Sequence, residues 1–110
     1  MLFKNLFIAV SLLFSSIVMA ETVWIDVRSA AEYKANHIAD DLRISYNEIL
    51  PGVAELYPNK DTDIRLYCRS GRRAGVAKSI LEKAGYKNVS NFGSIEQVFL
   101  CKKEILIKTT

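Results

Sequence analysis

The sequence predicts an α/β fold built on a small, mainly parallel sheet. Short runs rich in β-branched and aromatic residues alternate along the chain with segments whose apolar residues have helical spacing. Strands that alternate with helices in this way are typical of parallel sheets. The chain has 110 residues, enough for one domain with a single hydrophobic core.

The first half of the chain begins with a strand and a short helix. Residues 22–27 are β-branched, aromatic or short polar residues and predict a strand. Ser29 and Glu32 have the spacing of a capping box, which predicts a helix over 30–36. A second, shorter strand is predicted over 42–45.

The segment after the second strand leaves two interpretations open. Ser45 and Glu48 have the spacing to cap a helix, but Pro51 and Gly52 would interrupt it. Either one kinked helix starts after Ser45, or a turn is followed by a helix that has Pro51 in its first turn and ends near Leu56.

The second half of the chain contains a third strand, the main helix and a fourth strand. The third strand is predicted over 63–67, and apolar residues at helical spacing predict a helix over 72–84. Gly85 stands where a glycine commonly ends a helix. A short strand over 89–91 is expected to lead into a turn over 92–94.

The C-terminal segment is only partly interpretable. A short helix is predicted over 95–101, with Cys101 as a partly buried small hydrophobic residue. The apolar residues 105–107 fit either a strand or a loose apolar end, so 102–110 has no assigned element. The basic run Lys102-Lys103 is expected to be a solvated face.

The first twenty residues have the layout of a secretory signal peptide. Lys4 precedes an apolar run over 6–18, and small residues stand at the positions that signal peptidase reads. We expect cleavage after Ala20, which leaves one domain over 21–110. The alternative is an uncleaved anchor, although the run is short for a membrane span. The cleaved product would be exported without stable membrane association, and periplasmic in a Gram-negative bacterium.

The clearest chemical signal is a loop between the third strand and the main helix, Cys68-Arg69-Ser70-Gly71-Arg72-Arg73. At a helix amino end, backbone N–H groups and the helix dipole favour negative charge. The three guanidinium groups add to this effect, so Cys68 should ionise readily and act as a nucleophile. The overall net charge is only +3, so this arginine cluster favours a small anion, and no nucleic acid is expected as a partner.

Other candidate residues have simpler interpretations. Asp26 and Arg28 are interpreted as a structural pair at the end of the first strand. His37 is the only histidine and is interpreted as a hydrogen-bonded structural residue, since it has no partner ligands for a metal. Cys101 could also form a disulfide with Cys68, or act as a resolving thiol, in an oxidising compartment.

These motifs together resemble the single-domain rhodanese family of sulfurtransferases. Residues 24–28 are similar to its first-strand signature, and 36–38 to the segment around its GHI motif. Residues 66–74 resemble its active-site strand and loop, and 89–93 its later glycine-containing region. The exported, short form most resembles the small periplasmic thiosulfate sulfurtransferases. The resemblance implies a rhodanese-like fold, with helices on both faces of the sheet.

The resemblance also implies a two-step reaction without a metal or organic cofactor. The thiolate of Cys68 attacks the sulfane sulfur of thiosulfate or a similar donor, sulfite leaves, and Cys68 carries a persulfide. Cyanide or a thiol, including a thiol on a protein, then accepts that sulfur. Backbone N–H groups over 69–73 would stabilise the cysteine sulfur. The residues expected to bind the donor are Arg69, Ser70, Gly71, Arg72 and Arg73. Among the arginines Arg69 and Arg73 are favoured, and the alternative for Arg72 is a solvated surface charge.

The sequence departs from the family at several turn positions. Asn36 stands where the family usually has glycine, Asp40-Asp41 where it has Gly-Ala, and Gly93-Ser94 where it has Gly-Gly. These positions shape turns around the site, so we expect them to affect substrate preference and stability more than the chemistry.

Two other functions stay open. A non-catalytic persulfide carrier or a thiol redox module would use the same Cys68. A cysteine phosphatase or arsenate reductase would need a longer loop, with arginine at the sixth position after the cysteine. Ala74 occupies that position here, and Arg73 comes one residue too early. Phosphatase loops also often have histidine before the cysteine, where this chain has Tyr67.

Overall fold

A parallel sheet organises the fold. The computed structural model describes residues 21–109, and within them four parallel strands pair in the order β2-β1-β3-β4. The strands are β1 (Thr22–Asp26), β2 (Leu42–Arg43), β3 (Asp63–Cys68) and β4 (Val89–Ser94). The helices are α1 (Ala30–Ala35), α2 (Ile49–Leu56), α3 (Arg72–Lys83) and α4 (Ile95–Thr109). The predicted α/β class is therefore confirmed.

The predicted signal peptide, 1–20, lies outside the described residues. Among residues 21–109, no helix combines the length and apolar character that crossing a bilayer requires.

Alternating side chains of the strands build a core on each face of the sheet. Because successive strand residues point to opposite faces, Ile25 and Leu66 lie in one core while Trp24 and Tyr67 belong to the other. The first core is closed by apolar residues of α2 and α3, among them Ile49, Val53, Ala74, Ala77 and Leu81. The second is closed by Ile95 and Val98 of α4, together with Ile38 and Phe92. Helices thus cover both faces, as the resemblance implied.

The predicted capping box holds the start of α1. The Ser29 hydroxyl accepts a hydrogen bond from the backbone N–H of Glu32, and the Glu32 carboxylate accepts one from the Ser29 N–H. Each contact satisfies a backbone donor that a helix start leaves unpaired.

The turn-plus-helix interpretation holds for the segment after β2. A single 3-10 turn, Tyr46–Glu48, leads directly into α2, which ends at Leu56. Pro51 lies in the first turn of α2, where its missing N–H costs no helical hydrogen bond.

The predicted turn over 92–94 is wrong, because β4 continues through Ser94. A register shift between Leu66 and Cys68 lets the strand bend and still pair Ser94 with Cys68. Gly93 makes this possible by adopting a φ of 82°, which side chains with a Cβ rarely tolerate.

The expectation for the C-terminal tail is also wrong, because α4 is one continuous helix from Ile95 to Thr109. The strand and loose-end alternatives for 105–107 are both excluded. A second capping box starts the helix: Ser94 accepts from the N–H of Gln97, and Gln97 accepts from the N–H of Ser94. This Ser-x-x-Gln pattern is visible in the sequence.

Lys102 is not the solvated residue that the basic run predicted. Its ammonium group pairs with the buried carboxylate of Asp41 and lies 4.8 Å from the ring centre of Trp24. The other Asp41 oxygen accepts a 2.7 Å hydrogen bond from the hydroxyl of Tyr67. Because a buried carboxylate needs charged and hydrogen-bonding partners, the extension of α4 past residue 101 supplies one of them.

Candidate active site

Cys68 ends the third strand at the carboxyl edge of the parallel sheet. It is fully buried, and α3 begins at Arg72 after a short loop. Gly71 turns that loop with a φ of 94°, and a Cβ there would lie 3.2 Å from the Cα of Gly93. Both the backbone angle and the close approach favour glycine at this position. Ligands of open α/β sheets bind at this edge.

Backbone N–H groups surround the sulfur of Cys68. The N–H of Gly71 donates to Sγ over 3.0 Å. Burial raises the pKa of the thiol, but hydrogen bonds from the backbone of Ala74, Ser70, Gly71 and Arg73 outweigh it. The pKa of Cys68 is therefore lowered, as the strand–loop–helix pattern predicted.

The donors around Cys68 extend one residue beyond the predicted range of 69–73. Ala74 lies in the first turn of α3, where backbone N–H groups have no partner within the helix. Counting helix positions from the predicted start at residue 72 would have identified it.

Arg73 is held by Glu32 and does not stand free in the loop. Its guanidinium makes two hydrogen bonds to that carboxylate, at 2.6 and 2.9 Å. Glu32 also completes the capping box of α1, so this one carboxylate links α1 to the start of α3. The charge of Arg73 still acts on Cys68, because the two groups interact electrostatically. The sequence predicts Glu32 only as part of the capping box, and its contact with Arg73 is visible only in the tertiary structure.

The predicted structural pair of Asp26 and Arg28 is confirmed. Both residues are buried, and the guanidinium donates to both carboxylate oxygens at 2.8 to 3.1 Å. Arg28 also donates to the carbonyl oxygen of Asn36 over 2.8 Å. The pair therefore ties the end of β1 to the segment 36–38, where one departure from the family pattern lies.

Two cavities of the described chain flank the loop and divide the predicted site residues between them. Arg69 faces a cavity of about 240 Å³ that is also lined by Arg28, Glu32, Ala35, Asn36, Ile95 and Glu96. Ser70, Arg72 and Arg73 face a cavity of about 450 Å³ that is also lined by Tyr46 and Val76. The side chains of Arg69 and Arg72 are exposed, so both can reach an anion at the mouth of the site.

Cys101 and His37 lie outside this arrangement. Cys101 is half-buried on α4, and in residues 21–109 both cysteines carry free thiols. His37 stacks on the ring of Tyr33, and its Nδ1 lies 2.9 Å from that residue's carbonyl oxygen, in agreement with a structural role. Within the described part of the chain, no three His, Cys, Asp or Glu side chains come together in a way that could hold a metal ion.

The Glu32–Arg73 pair predicts a specific pH dependence of stability. The hydrogen bonds from Arg73 lower the pKa of Glu32 from its ordinary 4.5 to about 2. Stability from this pair is therefore present above pH 4.5 and is lost as the pH falls towards about 2. We expect Glu32→Gln to lower the free energy of unfolding at neutral pH by about 1–2 kcal/mol, since solvent screens a half-buried pair.

Urea unfolding at a series of pH values measures this effect. The difference between wild type and Glu32→Gln should shrink as the pH falls through that range. Glu82→Gln, which changes an exposed carboxylate on α3, is the matched control and should show no such trend. A constant difference between wild type and Glu32→Gln at every pH would contradict the ion-pair explanation.

The chain matches one family of known proteins, several individual proteins and solved structures. The model of the Rhodanese-like domain family matches residues 14–98. The chain is 35% identical over 101 residues to thiosulfate sulfurtransferase PspE of Escherichia coli (strain K12), covering 92% of this chain and 97% of that protein. It is 36% identical over 67 residues to the putative sulfur carrier protein YrkF of Bacillus subtilis (strain 168), covering 61% of this chain and 35% of that protein. A solved structure, a rhodanese with anions from E. coli, has a TM-score of 0.66 at 34% identity and covers 69% of this chain and 89% of its own.

Proposed function

The chain belongs to the rhodanese-like family, and on that premise we propose that it is an enzyme that transfers sulfane sulfur from thiosulfate to cyanide or a thiol. The observation that carries this proposal is the buried sulfur of Cys68, surrounded by backbone N–H groups at the carboxyl edge of a parallel sheet. Such a site stabilises an anionic sulfur before and after it receives another sulfur atom.

The proposed reaction needs only the thiolate and the two substrates. The Cys68 thiolate attacks the outer sulfur of thiosulfate, the bond between the two thiosulfate sulfur atoms breaks, and sulfite leaves with that electron pair. Cys68 then carries an anionic persulfide. The acceptor attacks the outer sulfur of the persulfide, and the electron pair returns to Sγ. The backbone donors on Ser70, Gly71 and Ala74 serve both steps, because each step leaves a negatively charged sulfur at the Cys68 side chain.

The arginines have different roles in this proposal. Arg69 and Arg72 are exposed, line different cavities beside the loop, and bind the sulfonate oxygens of the donor. Arg73 is fixed by Glu32 and supplies a stationary positive charge, which favours the thiolate and the persulfide. Ser70 and Gly71 contribute their backbone N–H groups to the sulfur, and the turn at Gly71 holds these groups in place.

We further propose that the enzyme acts after export. The support is the layout of residues 1–20, with a lysine, an apolar run and small residues before position 21. The acceptor would then be a thiol available outside the cytoplasm, either a small molecule or a protein.

The test is thiosulfate-dependent formation of thiocyanate from cyanide by the 21–110 domain, under reducing and non-reducing conditions. In parallel, mass spectrometry after thiosulfate treatment should show one added sulfur atom, located on the peptide that contains Cys68. Turnover together with this adduct is the expected result. The adduct without turnover would favour the persulfide carrier, a role for which the similarity to the putative sulfur carrier protein YrkF gives some support.

The phosphatase alternative is tested in the same preparation. The loop should not hydrolyse p-nitrophenyl phosphate, because the arginine comes one residue too early and is held by Glu32. Phosphate ester hydrolysis without a sulfur adduct would overturn the proposal.

A further inference from the structure

A third cavity adjoins the Arg69 side of the site. Its volume is about 390 Å³, and its walls are mostly apolar: Ile38 from the segment after α1, and Ile95, Phe99 and Leu100 from α4. Asn36, His37 and Glu96 complete the lining. Phe99 and Leu100 are 60% and 59% exposed, although both are large apolar residues. Exposed apolar residues that line a concave surface commonly mark a ligand site.

This apolar cavity shares part of its lining with the cavity beside the proposed active site. Asn36, Ile95 and Glu96 line both it and the cavity that Arg69 faces. A molecule that reacts beside Arg69 could therefore extend across these shared residues and place an apolar group against Phe99 and Leu100.

We propose that this cavity binds the apolar body of the sulfur acceptor, and that the preferred acceptor is a small neutral thiol with an alkyl or aryl group. This inference rests on the proposed function. Thiosulfate has no apolar part to occupy the cavity, and cyanide is too small to reach it. Of the reactants in the proposed cycle, only the acceptor thiol can carry an apolar group large enough to fill the cavity.

Charge on the walls of the apolar cavity favours a neutral acceptor over an anionic one, because Arg69 lines the neighbouring cavity and not this one. The carboxylate of Glu96 stands on the wall that the two cavities share, where it would repel a carboxylate or sulfonate on the acceptor. The size of the cavity lies at the lower end of the range for small-molecule sites, which suits a chain of several carbons.

The proposed step is balanced without any further reagent. The acceptor thiolate forms a bond to the outer sulfur of the Cys68 persulfide, and the bond between that sulfur and Sγ breaks. The electron pair goes to Sγ, which regenerates the Cys68 thiolate, and the acceptor leaves as an anionic persulfide. A neutral acceptor thiol releases its proton to solvent before the attack.

The experiment compares mercaptoethanol with mercaptohexanol as acceptors of sulfur from the loaded protein. The 21–110 domain is loaded with thiosulfate, the adduct is confirmed by mass, and the rate constant for its discharge is measured with each thiol. Each rate is divided by that of the same thiol with a small organic persulfide, which removes differences in intrinsic reactivity. The corrected rate constant for mercaptohexanol should exceed that for mercaptoethanol by about tenfold. Mercaptohexanol has several more methylenes, and burying them in an open groove contributes roughly half of their full transfer free energy.

The variants assign this preference to the cavity. Phe99→Ser and Leu100→Ser should each lower the corrected ratio at least about threefold, because each removes apolar surface from the wall. Leu56→Ser is the matched control, since Leu56 is also an exposed leucine but lies on α2, outside the lining. The ratio is internal to each protein, so a variant with less folded material still gives a valid result.

The experiment distinguishes failure of the proposed function from failure of the acceptor site. A chain that acquires no sulfur from thiosulfate overturns the proposed function and this inference with it. A chain that loads normally but has no preference for mercaptohexanol, or keeps the full preference in both α4 variants, overturns only the acceptor site. Selective discharge by a protein thiol, with both small thiols equally slow, would also overturn it and would assign the surface to a protein.

Discussion

Replacing Cys68 with serine is expected to abolish thiocyanate formation, with a loss of about a thousandfold or more. The proposed reaction requires an anionic sulfur that can carry a second sulfur atom, and a serine hydroxyl neither ionises near neutral pH nor forms a persulfide. The backbone N–H groups that lower the pKa of Cys68 cannot replace the missing sulfur. The measurement is the initial rate with thiosulfate and cyanide.

Cys101→Ser is the matched control for this prediction. Cys101 lies on α4 with a free thiol and is not part of the loop, so its replacement should leave the rate within about twofold of wild type. The Cys68→Ser protein should also remain folded, because the serine oxygen can accept the hydrogen bond that Gly71 donates to sulfur. Full activity in Cys68→Ser, or its loss in Cys101→Ser instead, would refute the assignment of the nucleophile.

The largest effect on stability is expected for Asp26→Ala, with a loss of about 3–5 kcal/mol in the free energy of unfolding. Both members of the Asp26–Arg28 pair are buried, so removing the carboxylate leaves an uncompensated guanidinium inside the protein. A domain of this size has a total stability of about 5–15 kcal/mol, so a large part of it would be lost. Urea unfolding followed by the fluorescence of Trp24 measures the change.

The chain offers a closely matched control in Asp63 and Arg65. Like Asp26 and Arg28, these residues are two positions apart, and they lie on β3, the strand next to β1. They pair over 3.0 Å, but their side chains are 29–30% exposed. Because solvent screens an exposed pair, Asp63→Ala should cost only about 0–1 kcal/mol. Equal losses in the two variants would show that burial does not decide the contribution of the Asp26–Arg28 pair.

Local patterns in the sequence were sufficient for most of the fold. The strand predicted at 63–67 and the helix predicted at 72–84 are found at Asp63–Cys68 and Arg72–Lys83. These elements and the capping box of Ser29 and Glu32 depend on residues within a few positions of each other. The position of Cys68 follows from the same patterns, because a strand followed by a tight loop and a helix places a thiol beside free backbone N–H groups. The second capping box, at Ser94 and Gln97, is equally local and is visible in the same way.

The sequence by itself thus determined the order of the elements, and it placed Cys68, the expected nucleophile, in an arginine-rich loop that is expected to bind an anion. The Asp26–Arg28 pair, two positions apart, was predictable from the sequence, but only the tertiary structure decided which distant charged residues meet. Glu32 and Arg73 are 41 residues apart, and Asp41 and Lys102 are 61 apart. Arg73 is therefore a fixed charge, and Lys102 is the partner of a buried carboxylate. Periodicity and capping act over one or two helical turns, whereas such ion pairs depend on strand order and helix packing, which bring distant segments together.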